Sequence, residues 1–303
     1  MLDKQLNLLL KFSRGVNQKK IHDLSIEEAR KSAGAIALQM GLLPIDTIKT
    51  HDYYTKTKDG HNLHLRSYNI DESKKPILVF YHGGGYAIYN IETHDSFCLF
   101  LANSLNVVVV SMNYRRAPEY KYPTAKNDAI LGTQWVINNY NLFNGDLENI
   151  ILCGDSIGGS LALLVNKALY KDISIKGIVL LYPVITFKKH YSSYIKYGKD
   201  YFLDTKTMDW FERMYTNSKK DLNYNFDLES LTQNKSFIYL AISEYDVLRD
   251  EAIEFKNHLE SINADIKCRV FESMPHNFAL MAGKIKGAKQ ALDTICYDLQ
   301  KII

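Results

Sequence analysis

This sequence has little of what marks secreted or membrane-spanning proteins. Only four of its 303 residues are cysteine, and no two of them form a CxxC pair. Buried free thiols in a reducing compartment are therefore the natural interpretation. No stretch approaches the roughly 20 apolar residues that a helix needs to cross a bilayer. The N-terminal residues also lack the basic start and small-residue cleavage site of a signal peptide. We therefore expect a cytoplasmic protein with no membrane span.

The sequence also lacks a strong excess of either charge. Its formal net charge is +3, and its lysine doublets are scattered along the chain, so we expect no nucleic-acid-binding surface. Two groups of polar residues, His61/His64 and His51/Asp52, have no third ligand nearby in the sequence, so we expect no metal site. What the chain does have is a composition that is 46% hydrophobic and 23% charged, which supplies a large core.

The order of the apolar segments indicates an α/β protein. From the run "PILVFYH" onward, strands rich in Val, Ile and Leu alternate with helical patterns, which is typical of a parallel sheet covered on both faces. Two strands around a turn at Asp59-Gly60 precede this alternation. Residues 1–45 read as helices, with a capping-box pattern at Ser25 and Glu28. The alternation stops for a stretch at about 186–232, which we interpret as an insertion.

Glycine is scarce, at 16 residues, yet six of the glycines fall in two short clusters. In one cluster, Gly154-Asp155-Ser156-Ile157-Gly158 follows a predicted strand and opens a predicted helix, which is the context of the G-x-S-x-G nucleophile turn. Such a turn lifts the Ser156 hydroxyl to a helix N-terminus, where backbone N–H groups face a developing anion. On the pentapeptide alone, a tight turn with Ser156 as a helix cap is an equally good interpretation.

The other cluster, His82–Gly85, favours the catalytic interpretation. It follows the predicted strand 76–81, where folds of this type place the second part of an oxyanion hole. We expect the N–H groups of Gly83, Gly84 and Ile157 to surround the oxyanion of a tetrahedral intermediate. A phosphate-binding loop is the weaker alternative, because neither GxxxxGK[ST] nor GxGxxG is present. The histidine of this cluster is expected to order the loop.

A serine nucleophile needs a base, and in folds of this type the chain order is serine, acid, histidine. His276 comes just after the last predicted strand, 265–271, on a loop that follows a proline. The competing His258 lies inside a helical pattern. We therefore predict that His276 is the base.

The acid is expected in "SEYDVLRDE", directly after an apolar strand. The segment offers three carboxylates, Glu244, Asp246 and Asp250. Asp250 precedes a helical pattern and is expected to be its N-cap. Glu244 adjoins the strand and has a longer side chain. Asp246 is in mid-loop and is the predicted triad acid.

Together these segments carry a resemblance to a known family, the hormone-sensitive-lipase-like branch of the α/β-hydrolases, over roughly residues 77–280. The resemblance implies an α/β-hydrolase fold, with a mostly parallel eight-stranded sheet flanked by helices and a mainly helical cap. It implies a single domain whose cap is about 1–45 and 186–232, and whose catalytic core is about 46–185 and 233–303. The blocks that carry it are "HGGGYAIYN", "NYRRAPEYKYP", "GDSIGG" and "SEYDVLRDE" followed by "MPHNF".

Two departures from the family pattern stand out. Ile157 is found where the family usually has alanine, and we expect its branched side chain to narrow the acyl site. Arg116 stands where leucine is usual and is expected to change nothing chemical. The aromatic residues of the insertion are expected to pack within the cap rather than contact substrate. The residues predicted to line the substrate pocket are Tyr86, Tyr89, Val247 and Phe278.

These features predict a serine carboxylesterase in which Ser156 forms an acyl-enzyme, without a cofactor or metal. The resemblance implies small esters with short or medium acyl chains. An amidase or deacetylase on the same triad remains open, and a non-catalytic receptor of the same fold is a further alternative. The last strand is expected to be a sheet edge, so a homodimer is a hypothesis. The natural substrate, its alcohol part and its pathway are not indicated by the sequence.

Overall fold

A computed structural model describes residues 1–15, 19–188, 190–222, 226, 228–233 and 235–303. The described residues contain eight strands, which pair into one sheet. The strands are β1 (Thr50–Lys56), β2 (Asn62–Tyr68), β3 (Lys75–Tyr81), β4 (Val108–Asn113), β5 (Gly145–Asp155), β6 (Ile175–Leu181), β7 (Phe237–Tyr245) and β8 (Ile266–Pro275). The helices are α1 (Lys4–Gly15), α2 (Ile26–Met40), α3 (Ile91–Leu105), α4 (Thr124–Asn138), α5 (Ile157–Leu169), α6 (Ser192–Tyr197), α7 (Thr205–Tyr215), α8 (Leu228–Thr232), α9 (Arg249–Ser261) and α10 (Lys286–Leu299).

The sheet runs in the order β1-β2-β4-β3-β5-β6-β7-β8. The six strands from β4 to β8 along this order pair in parallel, whereas β2 pairs antiparallel with both β1 and β4. The predicted mostly parallel, eight-stranded sheet is therefore confirmed. Strand β8 lies at one edge of the sheet, as predicted, while pairing of two copies there stays a prediction.

Helices cover both faces of the sheet, which explains why its central strands are apolar throughout. Side chains alternate along a strand between the two faces. In β3, Ile77 and Val79 pack in the core cluster that includes α4, α5 and α9. Leu78 and Phe80 pack in the opposite cluster with α3 and α10. Because both faces of β3 are buried, neither face needs polar side chains, and the strand is hydrophobic along its length.

Local signals in the first part of the chain agree with the structure. The predicted capping box is present, because Glu28 N–H donates to Ser25 Oγ at 3.2 Å and Ser25 N–H donates to Glu28 Oε2 at 2.9 Å. Strands β1 and β2 form a hairpin around the predicted turn. Gly60 in that turn has a φ of 82°, a conformation that glycine adopts without penalty.

Between β6 and β7 the chain forms α6, α7 and α8 before the sheet resumes. The predicted insertion, 186–232, includes positions 189, 223–225 and 227, which lie outside the described residues. Helix α7 buries Phe211 and Tyr215 in the core cluster with α5. Across the ranges that the structure describes, no helix combines the length and apolarity needed to cross a membrane.

Candidate active site

The serine of the G-x-S-x-G motif lies at a sharp turn between β5 and α5. Ser156 has a φ of 54° and a ψ of −121°, an uncommon backbone conformation for a residue with a side chain. The two flanking positions must be glycine, because a side chain at either one would overlap neighbouring backbone atoms. A Cβ on Gly154 would overlap the Gly158 carbonyl, and a Cβ on Gly158 would overlap the Tyr81 carbonyl oxygen. The motif is therefore a consequence of close backbone packing at this turn.

Two hydrogen bonds connect the three residues that the sequence analysis selected. His276 Nε2 is 3.0 Å from Ser156 Oγ, and His276 Nδ1 is 2.6 Å from Asp246 Oδ2. The residues follow β5, β7 and β8, whose carboxyl ends meet at one edge of the sheet. All three are buried, with exposed fractions of 6% for Ser156, 5% for His276 and 2% for Asp246.

The segment around the acid differs from its prediction in one respect. Helix α9 begins at Arg249, so Asp250 lies inside the first turn, and its prediction as the N-cap is wrong. The Asp250 carboxylate instead accepts from Ser193 N–H at 2.9 Å, which joins α9 to α6. Asp246 itself also has a structural contact, because its Oδ1 accepts from Leu248 N–H at 3.0 Å. This hydrogen bond leaves Asp246 Oδ2 directed at the histidine.

The predicted oxyanion donors need one correction. The N–H of Gly83 already donates to Asp155 Oδ1 at 2.7 Å, so it is not available to a substrate oxygen. Gly84 and Gly85 instead line the cavity with the serine, with φ values of 98° and 59°. Within the described residues, the N–H groups of Gly84, Gly85 and Ile157 have no hydrogen-bond acceptor. Ile157 is the first residue of α5, where N–H groups lack intrahelical partners.

His82 orders the glycine loop, as the sequence analysis expected. Its Nδ1 is 2.8 Å from the Gly83 carbonyl oxygen, and the Tyr114 hydroxyl donates to the His82 carbonyl oxygen at 2.6 Å. Its ring stacks on Tyr114 with centroids 4.1 Å apart. Burial lowers the pKa of His82 well below its usual value, so the ring stays neutral.

A cavity of about 230 Å³ opens beside Ser156 and His276. Its wall combines Gly84 and Gly85 with side chains from α2, α7 and the segments around them. The other apolar side chains that line it are Ile21, Ala33, Ile36, Ile88, Tyr89, Ile157, Val184, Phe187, Tyr201, Phe202, Leu203, Met208, Phe211 and Met281. A largely apolar cavity with a few polar groups is typical of small-molecule sites.

Of the four predicted pocket residues, only Tyr89 is part of this wall. Tyr86 is buried and stacks on Tyr215, with ring centroids 3.7 Å apart. Phe278 packs edge-on against Tyr182 at 5.1 Å. Val247 is fully buried in the core cluster. The predictions for Tyr86, Val247 and Phe278 are therefore wrong, because these side chains are buried in the core and do not line the cavity.

One of the histidines that were weighed as metal ligands, His64, has another partner. His64 Nε2 is 2.7 Å from Asp52 Oδ1, and Arg66 Nε donates to the same oxygen at 2.7 Å. In the part of the chain that the structure describes, no group of three or more His, Cys, Asp or Glu side chains is arranged to hold a metal ion.

Comparison with known proteins assigns the family. A family model described as the alpha/beta hydrolase fold matches residues 78–280, which is more than half of the chain. The chain belongs to the alpha/beta hydrolase family. The matched range contains the glycine loop, the serine turn and both proposed partners of the serine. The resemblance drawn from the motifs, and the fold that it implied, are thereby confirmed.

The relatives of this hydrolase include several esterases. It is 29% identical over 291 residues to an ethyl acetate hydrolase of Pseudomonas putida, covering 93% of this chain and 92% of that protein. It is 32% identical over 217 residues to an arylesterase of Saccharolobus solfataricus, covering 69% and 70%. Among solved structures, an esterase of Pyrobaculum calidifontis superposes with a TM-score of 0.89 at 28% identity, covering 99% of both chains.

Sequence reasoning missed several residues that this hydrolase brings to the cavity. Gly85 was passed over because the occupied N–H of Gly83 is not visible in the sequence. Asn277 lines the cavity, and its position directly after the predicted base was a usable signal. Phe202 and Phe211 were expected to pack within a cap, yet both reach the cavity wall. Hydrophobic periodicity in the sequence identifies the buried face of a helix, but it does not show whether that face borders a cavity.

Proposed function

We propose that this carboxylic ester hydrolase cleaves short- to medium-chain esters through an acyl-enzyme on Ser156. The observation that carries the proposal is the pair of hydrogen bonds that runs from Asp246 through His276 to Ser156, at 2.6 and 3.0 Å. A serine hydroxyl is a weak nucleophile, and a histidine within hydrogen-bond reach, itself oriented by a carboxylate, is the arrangement that activates it.

In acylation, His276 Nε2 takes the hydroxyl proton as Ser156 Oγ attacks the ester carbonyl carbon. The carbonyl π electrons move onto its oxygen, and the N–H groups of Gly84, Gly85 and Ile157 stabilise the resulting oxyanion. When the intermediate collapses, the alcohol leaves with the proton from His276, and the acyl group remains on Ser156. Each oxyanion donor of this kind contributes about 2.7–4 kcal/mol of transition-state stabilisation.

Deacylation repeats the chemistry with water as the nucleophile. His276 takes a proton from water, and the hydroxide oxygen attacks the acyl carbon. The second tetrahedral intermediate expels Ser156 Oγ, which recovers its proton, and the carboxylic acid is released. Through both steps Asp246 holds the imidazole in the productive tautomer and stabilises the imidazolium, without taking the proton itself.

The shape and lining of the cavity support small apolar acyl groups. Its volume of about 230 Å³ is at the small end of ligand sites. The Ile157 side chain lies at the serine and takes up space next to it. We also propose the division of the chain into a core, 46–185 and 233–303, and a cap, 1–45 and 186–232, because described residues of both cap segments line the cavity.

The proposal is tested with aryl esters of increasing acyl length. We expect wild-type activity to be highest on short and medium acyl chains. Ser156→Ala and His276→Asn are each expected to lower kcat by about 10⁶-fold, as in other serine hydrolases. His258→Asn, on the exposed side of α9, serves as the matched control and is expected to be neutral.

A His276→Asn enzyme that is correctly folded by circular dichroism yet within tenfold of wild-type activity contradicts the triad. Matched anilide substrates measure the amidase alternative in the same assay. If the anilides are cleaved faster than the esters, the protein is better described as an amidase.

A further inference from the structure

Two residues of the cavity wall have a positive φ, a conformation that is strained for tyrosine and that asparagine adopts more readily. Tyr89 has a φ of 52° and Asn277 a φ of 67°. A positive φ is uncommon for residues with a side chain and is an outlier for a bulky one, because the Cβ approaches the neighbouring carbonyl oxygen. Strain of this kind persists where the surrounding structure enforces it, and it is concentrated at functional sites.

These two residues contact each other across the catalytic site. Asn277 Nδ2 donates to the Tyr89 hydroxyl oxygen at 3.0 Å, and both residues line the cavity with Ser156 and His276. Two positions that are 188 residues apart in sequence thus place one polar pair in a largely apolar wall.

The hydrogen bond leaves the phenol with an unused donor. Asn277 Nδ2 occupies a lone pair of the Tyr89 oxygen. Within the described residues the O–H proton of Tyr89 has no acceptor, and Asn277 Oδ1 is buried without a hydrogen-bond partner. Burial raises the pKa of Tyr89, so the hydroxyl remains protonated at neutral pH. A donor without an acceptor in a largely apolar wall is unfavourable, and a ligand oxygen that reaches it removes this penalty.

Three other polar side chains on the wall are already paired. Lys20 Nζ is 3.9 Å from Asp204, which also accepts from Thr207 N–H at 2.8 Å. The Thr207 hydroxyl is 3.0 Å from His22 Nδ1. These groups have partners within the protein, whereas the Tyr89 hydroxyl keeps its proton for a ligand.

The position of the pair identifies the part of the substrate that it meets. His276 must return its proton to the leaving alcohol, so the alcohol part of an ester lies beside that ring. Asn277 follows His276 directly, and the Tyr89 ring packs where a Cβ on Gly84 would lie, at the oxyanion loop. The pair therefore borders the cavity next to His276, from which the leaving alcohol takes its proton.

We infer that the Tyr89 hydroxyl donates to an oxygen in the alcohol part of the substrate, so that the enzyme favours esters of polyhydric alcohols over plain alkyl esters. This inference rests on the proposed function, because it concerns the leaving group of the Ser156 reaction. A neutral hydrogen bond of this type corresponds to about a 3- to 10-fold preference.

The test compares two esters of the same size, hydroxyethyl butyrate and propyl butyrate, in which a hydroxyl replaces a methyl group. We expect wild-type kcat/KM to be about 3- to 10-fold higher for the hydroxyethyl ester. Tyr89→Phe keeps the ring and removes the hydroxyl. It is expected to abolish this preference, so that the ratio of kcat/KM for the two esters falls to about 1.

Tyr120→Phe, at a partly exposed tyrosine outside the cavity, is the control and is expected to keep the preference. Asn277→Gly suits the positive φ and is expected to weaken the preference, because it removes the group that orients the phenol. Equal preference in wild type and Tyr89→Phe overturns the inference while leaving the proposed function intact. If wild type hydrolyses neither ester, the proposed function fails and the inference with it.

Discussion

Asp246 uses both of its carboxylate oxygens. Oδ2 lies 2.6 Å from His276 Nδ1, and Oδ1 accepts from Leu248 N–H at 3.0 Å. The second contact aligns the carboxylate with the imidazole, so the loop after β7 orients the acid before substrate binds. The neighbouring Glu244 is turned away and accepts from Arg249 Nε at 2.8 Å. At the scale of single residues, the role of each carboxylate therefore follows from its partner.

Asp246 and Asp250 have different hydrogen-bond partners, so conservative substitutions at the two positions are expected to have different effects. Asp246→Asn is expected to lower turnover by up to about 10⁴-fold with little change in melting temperature, because an amide favours the wrong histidine tautomer. Asp250→Asn is the matched control. It weakens contacts with Ser193 and Arg249 and is expected to lower stability by about 1 kcal/mol with turnover nearly unchanged. Turnover and thermal melting of both variants check this, and the opposite pattern would assign the acid to Asp250.

Helix α9 connects the acid loop to the chain that follows β6. Its Glu251 is buried, and Oε1 accepts from the backbone N–H groups of Ile185 and Thr186 at 2.7 and 3.1 Å. Val184, directly before them, lines the cavity, and its N–H donates to the Ser156 carbonyl oxygen at 3.1 Å. One helix thereby positions the cavity wall next to the serine.

Burial also makes this contact dependent on pH. It raises the pKa of Glu251 well above its usual value of 4.5 in spite of the two backbone donors. Between pH 4.5 and the folded-state pKa, the unfolded chain has lost this proton and the folded chain keeps it. The contribution of Glu251 to the free energy of unfolding is therefore fully present below about pH 4.5. It falls as pH rises, by at most about 1.4 kcal/mol per pH unit.

Glu251→Gln is expected to remove this pH dependence, because glutamine keeps the acceptor oxygen and does not ionise. Relative to wild type, the variant should gain stability steadily as pH increases from 5 to 8. Denaturant unfolding at several pH values measures this difference. Glu254→Gln, at an exposed position of the same helix, provides the control. A constant difference between wild type and Glu251→Gln across this range would show that Glu251 is ionised in the folded protein.

At the scale of the whole molecule, Arg30 connects the N-terminal helices to the rest of the protein. Its Nε and Nη2 donate to the carbonyl oxygens of Ala87 and Ala117, each at 2.8 Å. Its guanidinium also binds both Glu119 carboxylate oxygens at 2.7 Å. The same helix, α2, contributes Ala33 and Ile36 to the cavity wall. The placement of α2 therefore sets one side of the cavity.

Arg30→Lys is expected to lower stability by about 1.5–3 kcal/mol and to raise KM, because lysine cannot replace the planar set of donors. The chemistry at the serine is unaffected, so kcat is expected to change less than KM. Lys31→Arg, at the exposed neighbouring position, is the control. Chemical denaturation and steady-state kinetics on one aryl ester measure both effects. If stability falls while KM is unchanged, Arg30 holds α2 in place without shaping the cavity, and the prediction for KM is wrong.

The sequence by itself determined the sheet, the tight serine turn and the order of the three residues that meet there. These features depend on local rules. Buried parallel strands are apolar throughout, and a turn that brings Gly154 against Gly158 admits no other residue at those positions. Likewise, strand ends of a parallel sheet share one edge, so Asp246 and His276 were predictable from their places after β7 and β8.

Only the tertiary structure decided which groups around the serine are free and which side chains face the cavity. Gly83 is excluded as an oxyanion donor because Asp155, 72 residues away, accepts its N–H. Tyr86 lies behind the wall and Phe211 lies in it, although both are buried aromatics. Hydrogen-bond availability and cavity lining depend on segments that are distant in the chain, and hydrophobic periodicity carries information only about neighbours along it.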